Sequence, residues 1–459
     1  MGGVGKTELV IQYTKRNESD FPGGICWLRA RESVLAEEII LFAQNKMDLQ
    51  VPQKDSHGKI LSLVKQVKEC WKNWRPLEGL VLVILDDVTD FGECHAFLPK
   101  NSRFRLLMTT RVRRLDIYIK EICLDILTPD QALRLFTNIV GDDLVQAEPE
   151  FAQKLCEELG YLPLGLELLG IYIVNQLPEW TLKEMLERLQ LQKIEDESLN
   201  PEEKELEKSL NTAQRGVKAA FELSWTELEP MTQRVGALLS LFAPNIFAWE
   251  WVKIMGDRLN WSSDDVKKAS QQLYKQNLIQ LVGERKGFYQ IHPLIREFLK
   301  VKFSGLEDKD SLKREFVGIF VSIAEEIPQS PTQDDIKSVQ EAIPHLAEIA
   351  ENLIDVVSDE SLISPFVGLG RYYEEQGLYT FAEPWYKKCV SLLKIRLGEE
   401  HPDVATSYNN LAGVYNSQGR YEEAESFYLQ SLEIADRTLG KNHPTTNTFR
   451  ENLNLLRDR

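Results

Sequence analysis

Cysteine and histidine are each scarce, six of either in 459 residues. The cysteines (Cys26, Cys70, Cys94, Cys123, Cys156 and Cys389) are scattered, with no CxxC pair and no histidine at ligand spacing. That excludes a zinc knuckle or a disulfide framework and fits a reducing compartment, so the expected localisation is cytoplasmic. Long apolar runs are missing too. The longest, near Leu80–Leu85 and Leu162–Val174, are short or interrupted by Glu167, and neither spans a bilayer. No signal peptide precedes the first motif. Positive charge is in deficit, with 54 Lys and Arg against 71 Asp and Glu and a net charge of -17. Such a surface repels nucleic acid and anionic membrane, which argues against both as partners.

What is present is enough apolar material, 43% of residues, for about three to four domains. Residues 1–127 alternate short β-rich runs with helical stretches, and Ile25–Arg29, Leu80–Leu85, Arg105–Thr110 and Glu121–Leu127 read as buried parallel strands of an α/β domain. Thr128-Pro129-Asp130-Gln131 then supplies a helix N-cap, a proline at the first helical position and a capping-box Gln. A helical domain is expected over 128–192. The charged stretch 193–211, poor in large apolar residues, reads as a linker. Over 212–302, helices precede a hairpin (Leu278–Val282, a Gly283–Gly287 turn, Phe288–His292), the pattern of a winged helix. With the acidic balance, its expected role is structural rather than DNA-binding. Connecting helices occupy 303–358.

The remainder, 359–459, repeats itself. Gly377, Ala382, Leu397, Gly398, His401 and Pro402 recur 42 residues later at Gly419, Ala424, Leu439, Gly440, His443 and Pro444. Each unit holds two helices, and Tyr379, Ala382 and Tyr386, like Tyr421, Ala424 and Tyr428, share a helix face where small Ala admits a neighbour and the aromatics fill the groove. This resembles a tetratricopeptide array of the kinesin-light-chain-like type, whose unit is lengthened by the Leu-Gly-x-x-His-Pro connection. The resemblance implies an α-solenoid that takes a protein or peptide ligand. His401 and His443 read as loop punctuation.

Two separated motifs carry chemistry. Gly2-Gly3-Val4-Gly5-Lys6-Thr7 is most of a phosphate-binding loop, whose glycines let backbone N–H groups wrap phosphates at a helix N-terminus. Lys6 would meet the β/γ phosphates and Thr7 the Mg²⁺. The full pattern has a further glycine one position ahead of Met1 and an apolar strand feeding the loop, so the first strand of the domain is expected to be missing. Downstream, Leu80–Leu85 delivers Asp86 to Mg²⁺ and places Asp87 to orient an attacking water. The stretch Phe104–Arg111 ends a strand with Thr-Thr-Arg, and Arg111 at a strand end is placed to read a γ-phosphate.

Together with Gly160–Leu164 and Ile291-His292-Pro293-Leu294, these motifs over 1–302 resemble, in order, an NB-ARC ATPase of the STAND class. The resemblance implies a multidomain α/β plus α fold, a switch that is off with ADP and on with ATP, and assembly into a homo-oligomer in the ATP state. It makes Arg111 the first sensor, Pro163 the residue packing near adenine, and His292 the histidine that contacts the phosphate of ADP. The family often has Asp after that histidine, whereas Pro293 stands here. Hydrolysis would be slow, at most that of a resetting switch. Other readings stay open: a repeat-based binding scaffold with a degenerate ATPase half, an ATP-driven remodelling motor, and a DNA-binding regulator using the winged helix.

Overall fold

The computed structural model describes residues 3–30, 35–56, 58, 60–112, 115–116, 119–176, 180–194, 212–283 and 285–458. It divides into two compact units, one of Met1–Leu9 with Glu121–Ile319, the other of Val10–Lys120 with Phe320–Arg459. Helix α1 (Lys6–Arg16) leads from the phosphate loop. Strands β1 (Ile25–Arg29), β2 (Val81–Val88) and β3 (Phe104–Thr110) pair in parallel in that order. The run Val81–Leu85 is fully buried because both faces of a parallel sheet are covered. On one side it is met by Val10 and Phe21, which close a small core with Leu82 and Ile84. Helices α2 (Leu35–Met47) and α3 (Leu63–Lys72) pack together, followed by short α4 (Phe91–His95). Trp71 and Trp74, near the end of α3, gather Phe42 and Phe104 into one aromatic cluster.

Glu121–Leu127, expected as a fourth parallel strand, is not one. It runs without a strand assignment, and its alternate apolar side chains Ile122, Leu124 and Ile126 are exposed. A strand exists only where a neighbour takes up its N–H and C=O groups, and among the described residues no ladder includes this segment. The Leu127 amide donates instead to the Tyr161 carbonyl.

The helical run that follows is α5 (Pro129–Val140), α6 (Asp142–Ala147), α7 (Pro149–Glu158), α8 (Pro163–Gln176) and α9 (Leu182–Ile194). It starts where the capping residues place it: Thr128 and Gln131 form a reciprocal capping box with Pro129 in the first turn. From residue 195 the expected linker lies outside the described residues.

Helices α10 (Thr212–Thr226) and α11 (Pro230–Leu238) lead to strand β4 (Phe247–Ala248); α12 (Trp249–Arg258) and α13 (Ser263–Lys275) follow, then β5 (Gln280–Leu281), β6 (Phe288–Gln290) and α14 (Pro293–Ser304), and the three strands pair antiparallel in the order β4-β6-β5. This is a winged helix, with a hairpin shorter than expected. Leu278 and Ile279 are buried at the end of α13, with the Leu278 amide bonded back to Leu273, and His292 caps α14 rather than extending β6.

Helices α15 (Lys309–Glu326), α16 (Gln333–Val339) and α17 (Ile343–Asn352) lead to the repeats: α18 (Ser364–Glu375), α19 (Tyr379–Leu397), α20 (Pro402–Ser417), α21 (Tyr421–Thr438) and α22 (Pro444–Arg457), each packed on the next. Ala382, Tyr386, Ala424 and Tyr428 are buried as the repeat pattern requires. Tyr421 is not: 49% of it is exposed at the first turn of α21. The Tyr386 ring instead lies against Gly370 of α18, with its hydroxyl donating to Glu374 at 2.7 Å. A methyl on Gly370 would overlap that ring. Gly370→Ala is therefore expected to destabilise the repeats by about 1–3 kcal/mol through overpacking, whereas Tyr421→Ala stays within about 0.5 kcal/mol. Denaturant unfolding followed by peptide-resolved hydrogen exchange over α18–α21 checks both, and equal effects would refute the packing described.

Candidate functional site

The first cluster of site residues is built on the glycine loop. Gly2 lies outside the described residues. Gly3 and Gly5 have φ of 77° and 86°, a region that L side chains rarely adopt, so only glycine shapes this curve without strain. Val4 between them is buried and anchors the loop from below. Lys6 then begins α1, and the Leu9 amide donates to the Gly5 carbonyl at 2.8 Å, closing the first helical turn. The donors at this N-terminus carry the positive end of the helix dipole, a cradle suited to phosphate.

A second turn is seated on this loop. Helix α7 ends with Gly160 and Tyr161 both left-handed, at φ of 58° and 53°. For Tyr161 that conformation is strained, and it is held by the Tyr161 amide bonding back to Cys156 at 3.0 Å. The reversal delivers Pro163 as the first residue of α8. The Leu164 amide reaches the Gly3 carbonyl at 3.4 Å, and a methyl on Gly5 would lie 3.9 Å from Pro163 Cγ. The structure thus brings Pro163 to the phosphate loop, 158 residues away in sequence. Most of α8 is buried, but Pro163, Glu167 and Ile171, at helical spacing, remain half-buried. Burial, and then the Glu8 carboxylate on α1, hold the Glu167 carboxyl above its ordinary range.

The second cluster stands at the end of β2. The ladder to β3 shifts register between Leu85 and Val88, and Asp87 sits at φ 59°. That irregularity turns two successive carboxylates out of a buried strand. Thr109 of β3 bridges them: its hydroxyl donates to Asp86 Oδ1 at 2.5 Å and accepts from the Asp87 amide at 2.8 Å. Arg111 Nε pairs with Asp87 Oδ1 at 3.2 Å. Asp86, Asp87 and Arg111 are therefore one constellation. Thr109, only 5% exposed, holds it together, a role its place in the Thr-Thr-Arg sequence did not disclose.

His292 is a helix N-cap. Its Nδ1 accepts from the Leu294 amide at 3.1 Å, and Pro293 opens α14. His401 and His443 do the same for α20 and α22, each with Nδ1 accepting at 3.2 Å and a proline next. Nδ1 as acceptor places the ring proton of the neutral imidazole on Nε2.

A glycine cradle at a helix N-terminus, followed by a strand-end pair of carboxylates, defines a P-loop nucleotide-binding module. Residues 1–146 match the model of the NB-ARC domain, and residues 361–437 and 403–450 match that of the tetratricopeptide repeat. The chain carries an NB-ARC domain, with the nucleotide binding that this domain implies, followed by tetratricopeptide repeats. It is similar to the "Regulatory protein AfsR" of Streptomyces coelicolor, 28% identical over 312 residues, which cover 65% of this chain and 28% of that protein. The protein of the same name from Streptomyces griseus is 29% identical over 250 residues, 52% of this chain and 23% of that one. The chain thus spans about a quarter of the length of these curated relatives. Among solved structures it is similar to a Signal Transduction ATPase with Numerous Domains (STAND) protein with a tetratricopeptide repeat sensor from Pyrococcus horikoshii. That match has 16% identity and a TM-score of 0.45, covering 100% of this chain and 77% of the other.

Thr109→Val keeps the shape of the side chain but leaves the Asp87 amide and Asp86 without their shared partner. It should cost about 1–3 kcal/mol of stability and weaken Mg-nucleotide binding more than nucleotide binding in chelator. Calorimetric titrations with and without Mg²⁺ check this, and equal losses in both would separate Thr109 from the carboxylates.

Proposed function

We propose that the chain is the core of a nucleotide-controlled signalling switch, off with ADP and on with ATP, whose repeats are the sensor or partner-binding surface for a protein or peptide. The observation that carries this reading is the seating of Pro163 and Leu164 on Gly3 and Gly5. Through it, whatever the phosphate loop binds is felt directly by α8, which packs in turn on α5 and α10. A phosphate loop serving hydrolysis alone has no need of that mechanical link.

The residues fit a Mg-nucleotide. Gly3 and Gly5 form a cradle that a side chain would strain, and Lys6 and Thr7 open the following helix. Among the described residues no three His, Cys, Asp or Glu side chains are grouped to hold a metal by themselves. Mg²⁺ accordingly would take few protein ligands, Thr7 and Asp86, with phosphate and water completing its shell. When bound, the ion neutralises phosphate charge. Asp87 would orient water, and Arg111, tied to Asp87 in this conformation, would act as the sensor of the γ-phosphate. Pro163, beside Gly5, would pack near the base. His292, with its cap made through Nδ1, has Nε2 as the donor facing phosphate in the off state. For that state to persist, ADP must bind it more tightly than the open one. The similarity to regulatory proteins favours a switch over a motor. Turnover is slow, and the ATP state assembles with further copies.

The decisive test is to denature the purified chain and identify any nucleotide it releases by chromatography. Near-stoichiometric ADP is expected, with Lys6→Ala and Asp86→Ala releasing none. A folded protein that carries and binds no nucleotide would instead be a repeat scaffold with a degenerate ATPase half. His292→Asn separates capping from phosphate contact, because Asn caps helices as well. ADP affinity should fall about tenfold or more at unchanged thermal stability. Unchanged ADP affinity would leave His292 with the cap alone.

A further inference from the structure

Charge is unevenly spread along this chain. Residues 230–304, the winged helix, hold 11 Lys and Arg against 6 Asp and Glu, a surplus of five within a net charge of -17. Part of that surplus lies on α13. This helix turns Val266, Ala269 and Leu273 inward, where Val266 meets Gly256 of α12 and Leu273 meets Gly236 of α11. Gln272 fixes its roll, accepting from Thr232 Oγ1 at 2.6 Å and donating to Glu229 Oε1 at 3.1 Å. The opposite face is thereby determined: Lys267, Lys268, Gln271, Tyr274 and Lys275 recur at helical spacing and are all exposed, Tyr274 by 50%.

The hairpin extends this face. Its turn is tight, with the Arg285 amide donating to the Val282 carbonyl at 3.1 Å and the Phe288 amide to the Arg285 carbonyl at 3.2 Å. Arg285 and Lys286 stand exposed on it, the Arg285 guanidinium 4.0 Å from the centre of the Phe288 ring. Burial first, and then Tyr274, raise the Tyr289 hydroxyl above its ordinary range, so the end of the α13 face and the hairpin are within electrostatic reach of one another. Among the described residues, Lys267, Lys268, Lys275 and Lys286 have no ion-pair partner, so the fold does not neutralise them. Lys253 and Lys300 of the same domain are paired, with Glu250 and Glu297. Asp264 and Asp265 in the first turn of α13 complement its dipole and bound the basic face at one end.

We propose that the exposed face of α13 and the hairpin turn form a binding surface for duplex DNA, with α13 in the major groove and Arg285 and Lys286 on the flanking phosphates.

The dimensions agree. The 13 residues of α13 span about 20 Å, and a major groove about 12 Å wide admits a helix. Lysines supply the phosphate contacts, while Gln271 and Tyr274, in the middle of the face, carry groups that can hydrogen-bond base edges. The acidic remainder of the chain opposes this only weakly, because exposed charges are screened beyond about 8 Å at physiological ionic strength. A bilayer surface fits less well, since the α13 face carries no aliphatic side chain to enter it.

Fluorescence anisotropy of a labelled, mixed-sequence duplex of about 20 base pairs, titrated with the full chain at about 50, 100 and 200 mM salt, tests the surface. The logarithm of the affinity should fall against that of the salt concentration with a slope of about -4, the value for five phosphate contacts. Lys268→Gln combined with Lys275→Gln should weaken binding by about fiftyfold at 100 mM salt and reduce the slope by about 2. Both positions are exposed, so thermal unfolding should be unchanged. Lys253→Gln combined with Lys300→Gln alters the charge equally and should bind within about twofold of the wild type. Absence of binding at the lowest salt, or equal weakening in the two double variants, would overturn the proposal. Binding to phosphatidylserine vesicles without binding to the duplex would overturn it in favour of a membrane surface.

Discussion

The candidate chemistry at the sheet depends on one constraint, the fully buried run of β2 and the register break at its end. An apolar strand covered on both faces has no freedom to slide, because a one-residue slip would reverse every side chain. Val81–Leu85 is therefore pinned, and the irregularity at Asp86-Asp87 turns two carboxylates out at a fixed height. Two charges so close repel one another, and Thr109, which bonds to both residues, and Arg111, which pairs with the second, offset that repulsion. Loss of any one partner leaves another polar group short of a bond at a partly buried strand end.

Much of this was legible in the sequence, for identifiable reasons. The glycine loop and the Asp86-Asp87 strand declare themselves because their chemistry demands particular residues at short spacing. The repeats declare themselves by an internal period of 42 residues. The capping box at Thr128 is local and was read to the residue. What failed was whatever depends on a neighbour distant in sequence. Glu121–Leu127 has the composition of a strand but no ladder among the described residues, and composition does not report a missing partner. Tyr421 has the spacing of a groove aromatic, yet it stands at a helix start where its ring meets solvent. Thr109 carries no pattern at all, since its meaning lies in what another segment brings to it.

The three His-Pro pairs show how one local device serves different ends. In each, proline fixes the first helical residue, and the preceding imidazole accepts an amide that proline's neighbour would otherwise leave unpaired. In the repeats this lengthens a connection and restarts a helix. In the winged helix the same geometry fixes the tautomer of the neutral His292 ring, with its proton on Nε2.

A switch of this kind needs elements that respond together, and two contacts supply coupling at different places. Pro163 and Leu164 join the phosphate loop to α8, a helix so buried that it moves only with its neighbours. Gln44 of α2 donates through Nε2 to the Gln376 carbonyl at 3.3 Å and joins α2 to the turn between α18 and α19. The first contact is apolar, save for one long amide bond, and is sensitive to the shape of the loop. The second is polar and is sensitive to anything that competes for that turn. A ligand that binds the repeats across that turn would displace Gln44, so recognition and release of α2 become one event. Its affinity for the repeats is then lowered by the fraction of chains in which the turn is closed, which is how an internal contact sets a threshold for a signal.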